Sequence, residues 1–105
     1  MVEKYSYRIM WSEEDQAFIA LCAEFPSLSW LGDTQDKAFK GIQKLVAEVL
    51  DDLMQQNEVV PEPLSIKSFS GKLMLRIPPE LHRELMLRAM EQHVSLNRYI
   101  TTKLA

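Results

Sequence analysis

The last 35 residues, 71 to 105, set the tightest limit on this chain, because they cannot complete a fold alone. They read GKLMLRIPPELHRELMLRAMEQHVSLNRYITTKLA. Leu73, Leu75 and Ile77 share one face of a strand, and Lys72, Met74 and Arg76 share the other. Pro78-Pro79 stops the strand, and Pro79 suits the first turn of a helix. Leu81, Leu85 and Ala89 then recur at steps of four, which predicts a helix over about 80–92. His93-Val94 makes a turn, Ser95 is a good N-cap, and Leu96, Ile100 and Leu104 repeat the step of four. One strand and two short helices bury too little apolar surface to be stable. A lone strand also leaves a row of backbone groups unpaired. Both deficits vanish if two copies pair their strands antiparallel and interlock their helices. The pattern therefore predicts a dimer.

The run KLMLRIP, the helix after it and VSLNRYI resemble the ribbon-helix-helix family of repressors. That resemblance implies a two-stranded ribbon with one face on the helices and the other in the major groove of operator DNA. By position, Lys72, Met74 and Arg76 then face the base edges. The forked guanidinium of Arg76 fits a guanine, Lys72 reaches a base or a phosphate, and Met74 meets apolar groups such as a thymine methyl. Members often carry a polar residue where Met74 stands. The resemblance also implies that the start of the second helix clamps the DNA backbone. Its free amides and positive dipole end favour a phosphate. The matching positions are Ser95, Leu96 and Asn97, Leu96 through its amide, with Arg98 adding charge.

The preceding residues carry a different pattern. Tyr5, Tyr7, Ile9 and Trp11 alternate with polar or flexible neighbours, which predicts a half-buried strand over 4–11. Residues 12–16 form an acidic hairpin loop. Residues 17–23, AFIALCA, are apolar on both faces and predict a central strand. Glu24-Phe25-Pro26-Ser27 breaks it, and 28–31 make a short third strand. Asp33 or Thr34 caps a helix over about 35–56, with Ala38, Ile42, Leu45, Val46, Val49 and Leu53 as its apolar stripe. Pro61 and Pro63 follow, and 64–69 are either a linker or a fourth strand. The expected fold class is α+β. An antiparallel sheet of three or four strands packs on one long helix, followed by a strand-helix-helix dimerisation module. The expected divisions are 1–63, 64–70 and 71–105.

Charge divides along the same line. The first 70 residues hold six Lys/Arg and twelve Asp/Glu, a net −6, whereas the last 35 hold six and three, a net +3. A basic tail on an acidic body points to nucleic acid at one end. The single cysteine, Cys22, rules out an internal disulfide or a cysteine cluster and reads as a small buried side chain. No apolar run approaches membrane length and no signal peptide is apparent, so the cytoplasm is the expected location.

YSYRIMW, the acidic SEEDQ loop, AFIALCAEFP and LGDTQDKA opening a long helix are similar to the HicB antitoxin family, over about residues 3–62. Gln16 stands where members often have glycine, and Leu28-Ser29 where they often have Pro-Gly. The similarity implies a truncated ribonuclease-H-like domain that neutralises HicA, a small mRNA-cutting toxin. It implies no cofactor and no catalysis. An RNA-binding toxin is basic, which suits an acidic partner. Glu13, Glu14 and Asp15 are the candidate toxin contacts. Together the two resemblances imply an antitoxin that also represses its own operon, as a homodimer with a tetramer left open. The alternative is a solitary regulator whose first domain senses a ligand or drives oligomerisation. A nuclease is the third reading. Metal-dependent chemistry of the ribonuclease-H type needs an acid within the first strand, and KYSYRIMW has none. Glu48, Asp51 and Asp52 lie on the helix, and His82 and His93 lack metal-ligand spacing.

The groove assignment gives a direct test. Arg76→Ala should weaken operator binding by ~1–3 kcal/mol and relax one base position. Unchanged affinity and unchanged base preference in a binding titration would remove Arg76 from the groove.

Overall fold

The computed structural model describes all 105 residues. They form an α+β chain with a three-stranded antiparallel sheet and three α-helices, in two units, Met1–Phe69 and Ser70–Ala105. In the first unit, β1 (Tyr7–Ser12) pairs with β2 (Ala17–Cys22), and β2 pairs with β3 (Ser29–Gly32), so β2 is central. The register sets Tyr7 opposite Cys22 and Ile9 opposite Ala20, with Trp30 beyond Ala20 on β3. Side chains alternate across a strand, so these residues share one face. Arg8, Met10, Ile19, Leu21 and Leu31 share the other.

Helix α1 (Gln35–Gln55) covers the first of those faces. It begins where Thr34 turns extended and accepts the Lys37 amide on its hydroxyl at 3.1 Å. Asp36 adds a favourable charge in the first turn. Ala38, Ile42, Val46 and Leu50 are buried in one core with Tyr5, Ala20, Cys22 and Phe25. Leu45, Val49 and Leu53 pack beside them half-buried. The buried line keeps Ala38, Ile42 and Val46 of the expected stripe and adds Leu50, which the expected stripe lacked. Each fully buried Val or Ile contributes roughly 1.5–3 kcal/mol. Two glycines let the layers approach. A Cβ on Gly32 would stand 2.5 Å from the Ala38 nitrogen, and one on Gly41 would stand 2.0 Å from the Trp30 indole. At its far end α1 closes with Asn57 left-handed (φ 55°), its amide and that of Glu58 returning to Met54 and Leu53 carbonyls.

The structure moves one strand boundary and decides one open alternative. Residues 2–4 form a 3-10 turn, and β1 starts at Tyr7 rather than residue 4. The Tyr5 hydroxyl donates to the Pro61 carbonyl at 2.8 Å, and the Ser6 amide donates to the Glu24 carboxylate at 2.9 Å, while the Ser6 carbonyl accepts the Ala23 amide at 2.9 Å just beyond the strand. No fourth strand forms over 64–69. Residues 64–66 turn instead, with the Ile66 and Lys67 amides on the Pro63 carbonyl. The Leu64 amide is spent on Glu24 at 2.9 Å, and Pro63 is fully buried. Residues 64–69 therefore lie in the first unit as a strap pinned after α1.

The carboxylate of Glu24 holds that strap. It accepts the Ser6 amide, the Ser6 hydroxyl and the Leu64 amide, and lies 3.6 Å from the Cys22 thiol. Burial alone would push the Glu24 carboxyl up, but the amides of Leu64 and Ser6 outweigh it and hold it below its ordinary 4.5. A carboxyl depressed in the folded state binds protons more readily in the unfolded chain. Its contribution is present above pH 4.5 and lost as pH falls through the folded value. Glu24→Ala should cost about 2 kcal/mol in denaturant unfolding at pH 7, because two amides lose a charged acceptor. Below pH 4.5 the gap between variant and parent should narrow. A gap that stays constant through this range would show that the strap is held by something else.

Candidate nucleic-acid interface

The second unit builds its helices from local signals. Helix α2 (Pro79–Glu91) starts with Pro79 in the first turn, where the missing amide costs nothing. It ends with His93 left-handed (φ 57°), the His93 and Val94 amides returning to the Met90 and Ala89 carbonyls. Ser95 then turns extended and its hydroxyl accepts the Arg98 amide at 3.1 Å, which opens α3 (Leu96–Leu104). The two helices meet through Ala89 and Tyr99, the only side chains of this unit that are buried. Tyr99 was not on the expected stripe of Leu96, Ile100 and Leu104, and Leu104 is 74% exposed.

Residues 72–78 lead into α2 without forming the expected strand. Their side chains still segregate. Leu73, Leu75 and Ile77 line a groove of about 200 Å³ with Leu85, Leu96 and Ile100. Met74 and Arg76 line neither this groove nor the one beside it, and Met74 is 81% exposed. Lys72 is exposed, though it borders the neighbouring groove with Asn97. The groove lining follows the alternation read from the sequence at Leu73, Leu75 and Ile77 but not at Lys72. Leu73, Leu75, Leu81, Met86, Leu87 and Met90 are all exposed, a concentration that a solvated monomer does not favour.

At the start of α3, the Ser95 hydroxyl serves the Arg98 amide, so Ser95 caps whatever else it does. The Leu96 and Asn97 amides have no intrahelical partner, as expected for the first turn. Asn97 and Arg98 are exposed. Lys72, Arg76 and Arg98 are the cations of this candidate surface, and no acid of the unit pairs with any of them.

The acidic hairpin of the first unit is more structured than the sequence suggested. The Trp11 indole donates to Glu13 at 2.6 Å, the Ser12 hydroxyl donates to Asp15 at 2.8 Å, and the Gln16 side chain donates to the Glu13 carbonyl at 2.8 Å. Glu13 and Asp15 therefore shape the turn, and Glu14 makes no such bond. Hydrogen bonds from Trp11 and Gln16 hold the Glu13 carboxyl below its ordinary value. Gln16 itself is left-handed (φ 51°), which accounts for glycine at this place in the family resembled. Elsewhere the carboxylates do not converge. No group of three His, Cys, Asp or Glu side chains could hold a metal ion, and Glu48, Asp51 and Asp52 lie exposed along α1. Cys22 is buried, and burial pushes its thiol up. No helix is long and apolar enough to cross a membrane.

Residues 57–104 match the HicB family. The match covers 48 of 105 residues, a little under half of the chain. It begins at Asn57, the residue that closes α1, and takes in the strap and nearly all of the second unit. The HicB-like motifs read from the sequence lie over 3–62, so the two overlap only at 57–62. No curated protein and no solved structure matches.

The missed features have sequence signals of uneven strength. Glu24 read as a strand breaker, and nothing local marks it as an anchor for a segment 40 residues away. The left-handed His93 was visible as a turn, but its strain was not. Replacing His93 by glycine should stabilise the second unit by about 1 kcal/mol, since a side chain at positive φ is relieved. His93→Val should do the reverse. Chemical unfolding of both variants checks the pair, and equal midpoints would mean that this backbone position carries no strain.

Proposed function

We propose that this chain is a HicB-type antitoxin of a type II toxin–antitoxin system. On this reading its acidic first unit binds and neutralises a HicA-like mRNA-cleaving toxin. Its second unit pairs with a second copy as a ribbon-helix-helix module and represses the operon that encodes both proteins. The observation that carries the proposal is the family match over 57–104, which falls on a unit whose apolar surface is left uncovered. Pairing of two 72–77 segments would supply the missing ladder and cover Leu73, Leu75 and Ile77. Lys72, Met74 and Arg76 would then project from the ribbon toward bases. The amides of Leu96 and Asn97, with Ser95 and Arg98, would meet a phosphate.

The order of three strands and one helix in the first unit supports a truncated ribonuclease-H-like domain. Its net −6 suits a basic, RNA-binding partner. A solitary regulator remains the second reading. The match favours it in one respect, since it reaches only the strap of the first unit and leaves the sheet unmatched.

Two measurements test the proposal. In sedimentation, the chain should be a dimer at micromolar concentration, with a melting temperature that rises with concentration. A monomer would overturn the ribbon. Co-expression with each flanking reading frame should yield a small basic protein bound in fixed ratio and toxic when expressed alone. A homodimer that binds its own promoter and no such protein would make the chain a solitary regulator.

A further inference from the structure

The sheet of the first unit has a second face that α1 does not cover. Met10, Ile19 and Leu31 form one row across all three strands, because Met10 pairs opposite Ile19 and Ile19 opposite Leu31. Leu21 lies two residues along β2 on the same face, with Arg8 opposite it on β1. None of these side chains packs against the core. Met10 and Leu31 are 38% and 48% exposed, although they stand in ordered strands of a unit that has a complete core of its own. At one end, Arg8, Leu21, Ala23 and Pro26 border a shallow groove of about 350 Å³.

Charge selects among the occupants of such a face. At the other end of the sheet stand Glu13, Glu14 and Asp15, and Asp33 follows β3. The lysines Lys37, Lys40 and Lys44 lie on α1, on the opposite side of the sheet, and Lys40 is paired with Asp36 at 3.0 Å. The unit as a whole is −6. A second copy of this face, a nucleic acid or an anionic lipid surface would each meet like charge. A basic protein would not.

We propose that this open face is where the first unit docks its partner, a basic protein presenting an apolar patch rimmed by lysine or arginine. The inference rests on the toxin-binding reading above and names the surface that does the binding. Met10, Ile19 and Leu31 form the dehydrated centre, and the hairpin acids form the charged rim. Charged rims govern the rate of encounter, while the buried apolar centre governs how long the complex lasts. The hairpin carboxylates alone therefore do not make the site.

The test uses the full chain, co-expressed with the basic protein encoded in a flanking reading frame and captured by a tag. Leu31→Lys and the double variant Met10→Ser with Leu31→Ser change exposed side chains, and an unfolding transition of the full chain as cooperative as the parent's, followed by Trp11 and Trp30 fluorescence, checks that the first unit of each is folded. Both should weaken capture by at least about tenfold, from which a loss in an interface centre is recognised. Lys44→Glu, on the helical side, should leave capture unchanged. Capture by the parent that persists in both face variants would overturn the docking surface while leaving the antitoxin reading intact. Loss of self-association in these variants, with capture intact, would assign the face to a second copy and equally overturn it. No capture by the parent chain would overturn both readings.

Discussion

A three-stranded sheet has two faces, and the first unit supplies one helix. Most of that unit follows from how α1 uses its position. Its buried line of Ala38, Ile42, Val46 and Leu50 is matched by small side chains on the sheet, Ala20 and Cys22, and by two glycines that bring the layers together. The layers are held close because a gap of even half an ångström forfeits much of the dispersion attraction. Once α1 is seated there, the chain emerges beside Tyr5 and Glu24, which fix the strap with backbone hydrogen bonds rather than with a further strand. Nothing remains to cover the other face. Its apolar row is thus a direct consequence of a β2 that is apolar on both sides in a unit with a single helical layer.

The second unit has the opposite balance. Its local structure is well specified, by a proline at the start of α2, a left-handed residue after it and a serine cap on α3. Its packing is not. Two helices joined through one alanine and one tyrosine cannot offset the conformational entropy of 36 ordered residues, at ~1–2 kcal/mol for each backbone. Capping interactions, worth ~1 kcal/mol apiece, fix where helices begin and end but do not supply a core. The segment 72–77 shows the same division. Leu73, Leu75 and Ile77 already line one groove, yet the segment pairs with no strand. Under the proposed function, folding of this unit and pairing of two copies are one event.

Elements specified by neighbouring residues were legible in the sequence. The three strands, the long helix and the two short helices stand within a few residues of their expected bounds, because period and caps are local signals. What stayed hidden depends on contacts far apart in the chain. Residues 64–69 alternate like a strand, but Pro63 and the Glu24 carboxylate turn them, and Glu24 is 40 residues away. The burial of Leu50 on α1 likewise depends on a core shared with Tyr5 and Phe25, which lie far off in the chain. Among the candidate contacts, the turn-forming duties of Glu13 and Asp15 required the Trp11 and Ser12 side chains in place. The apolar character of β2 on both faces marks its central place in the sheet. It also carried the second message that one face lacks cover.

Exposed apolar surface on both units raises the question of what prevents the wrong pairing. Dispersion and hydrophobic burial do not discriminate between partners, since they scale with area and have no sign. Charge does. Two first units approach each other with −6 apiece, so their bare faces repel before they can touch. Two second units carry only +3 each, and against that smaller repulsion stand Leu73, Leu75, Leu81, Met86, Leu87 and Met90 from each copy. Under the proposed function, self-association is thereby directed to the second unit. The positive charge that opposes it there is the charge a DNA backbone neutralises, so the electrostatic cost of pairing falls where the proposed ligand binds. Under the proposed function, the segregation of acid and base between the two units would order the partners of the whole chain, a second copy for one apolar surface and a basic protein for the other.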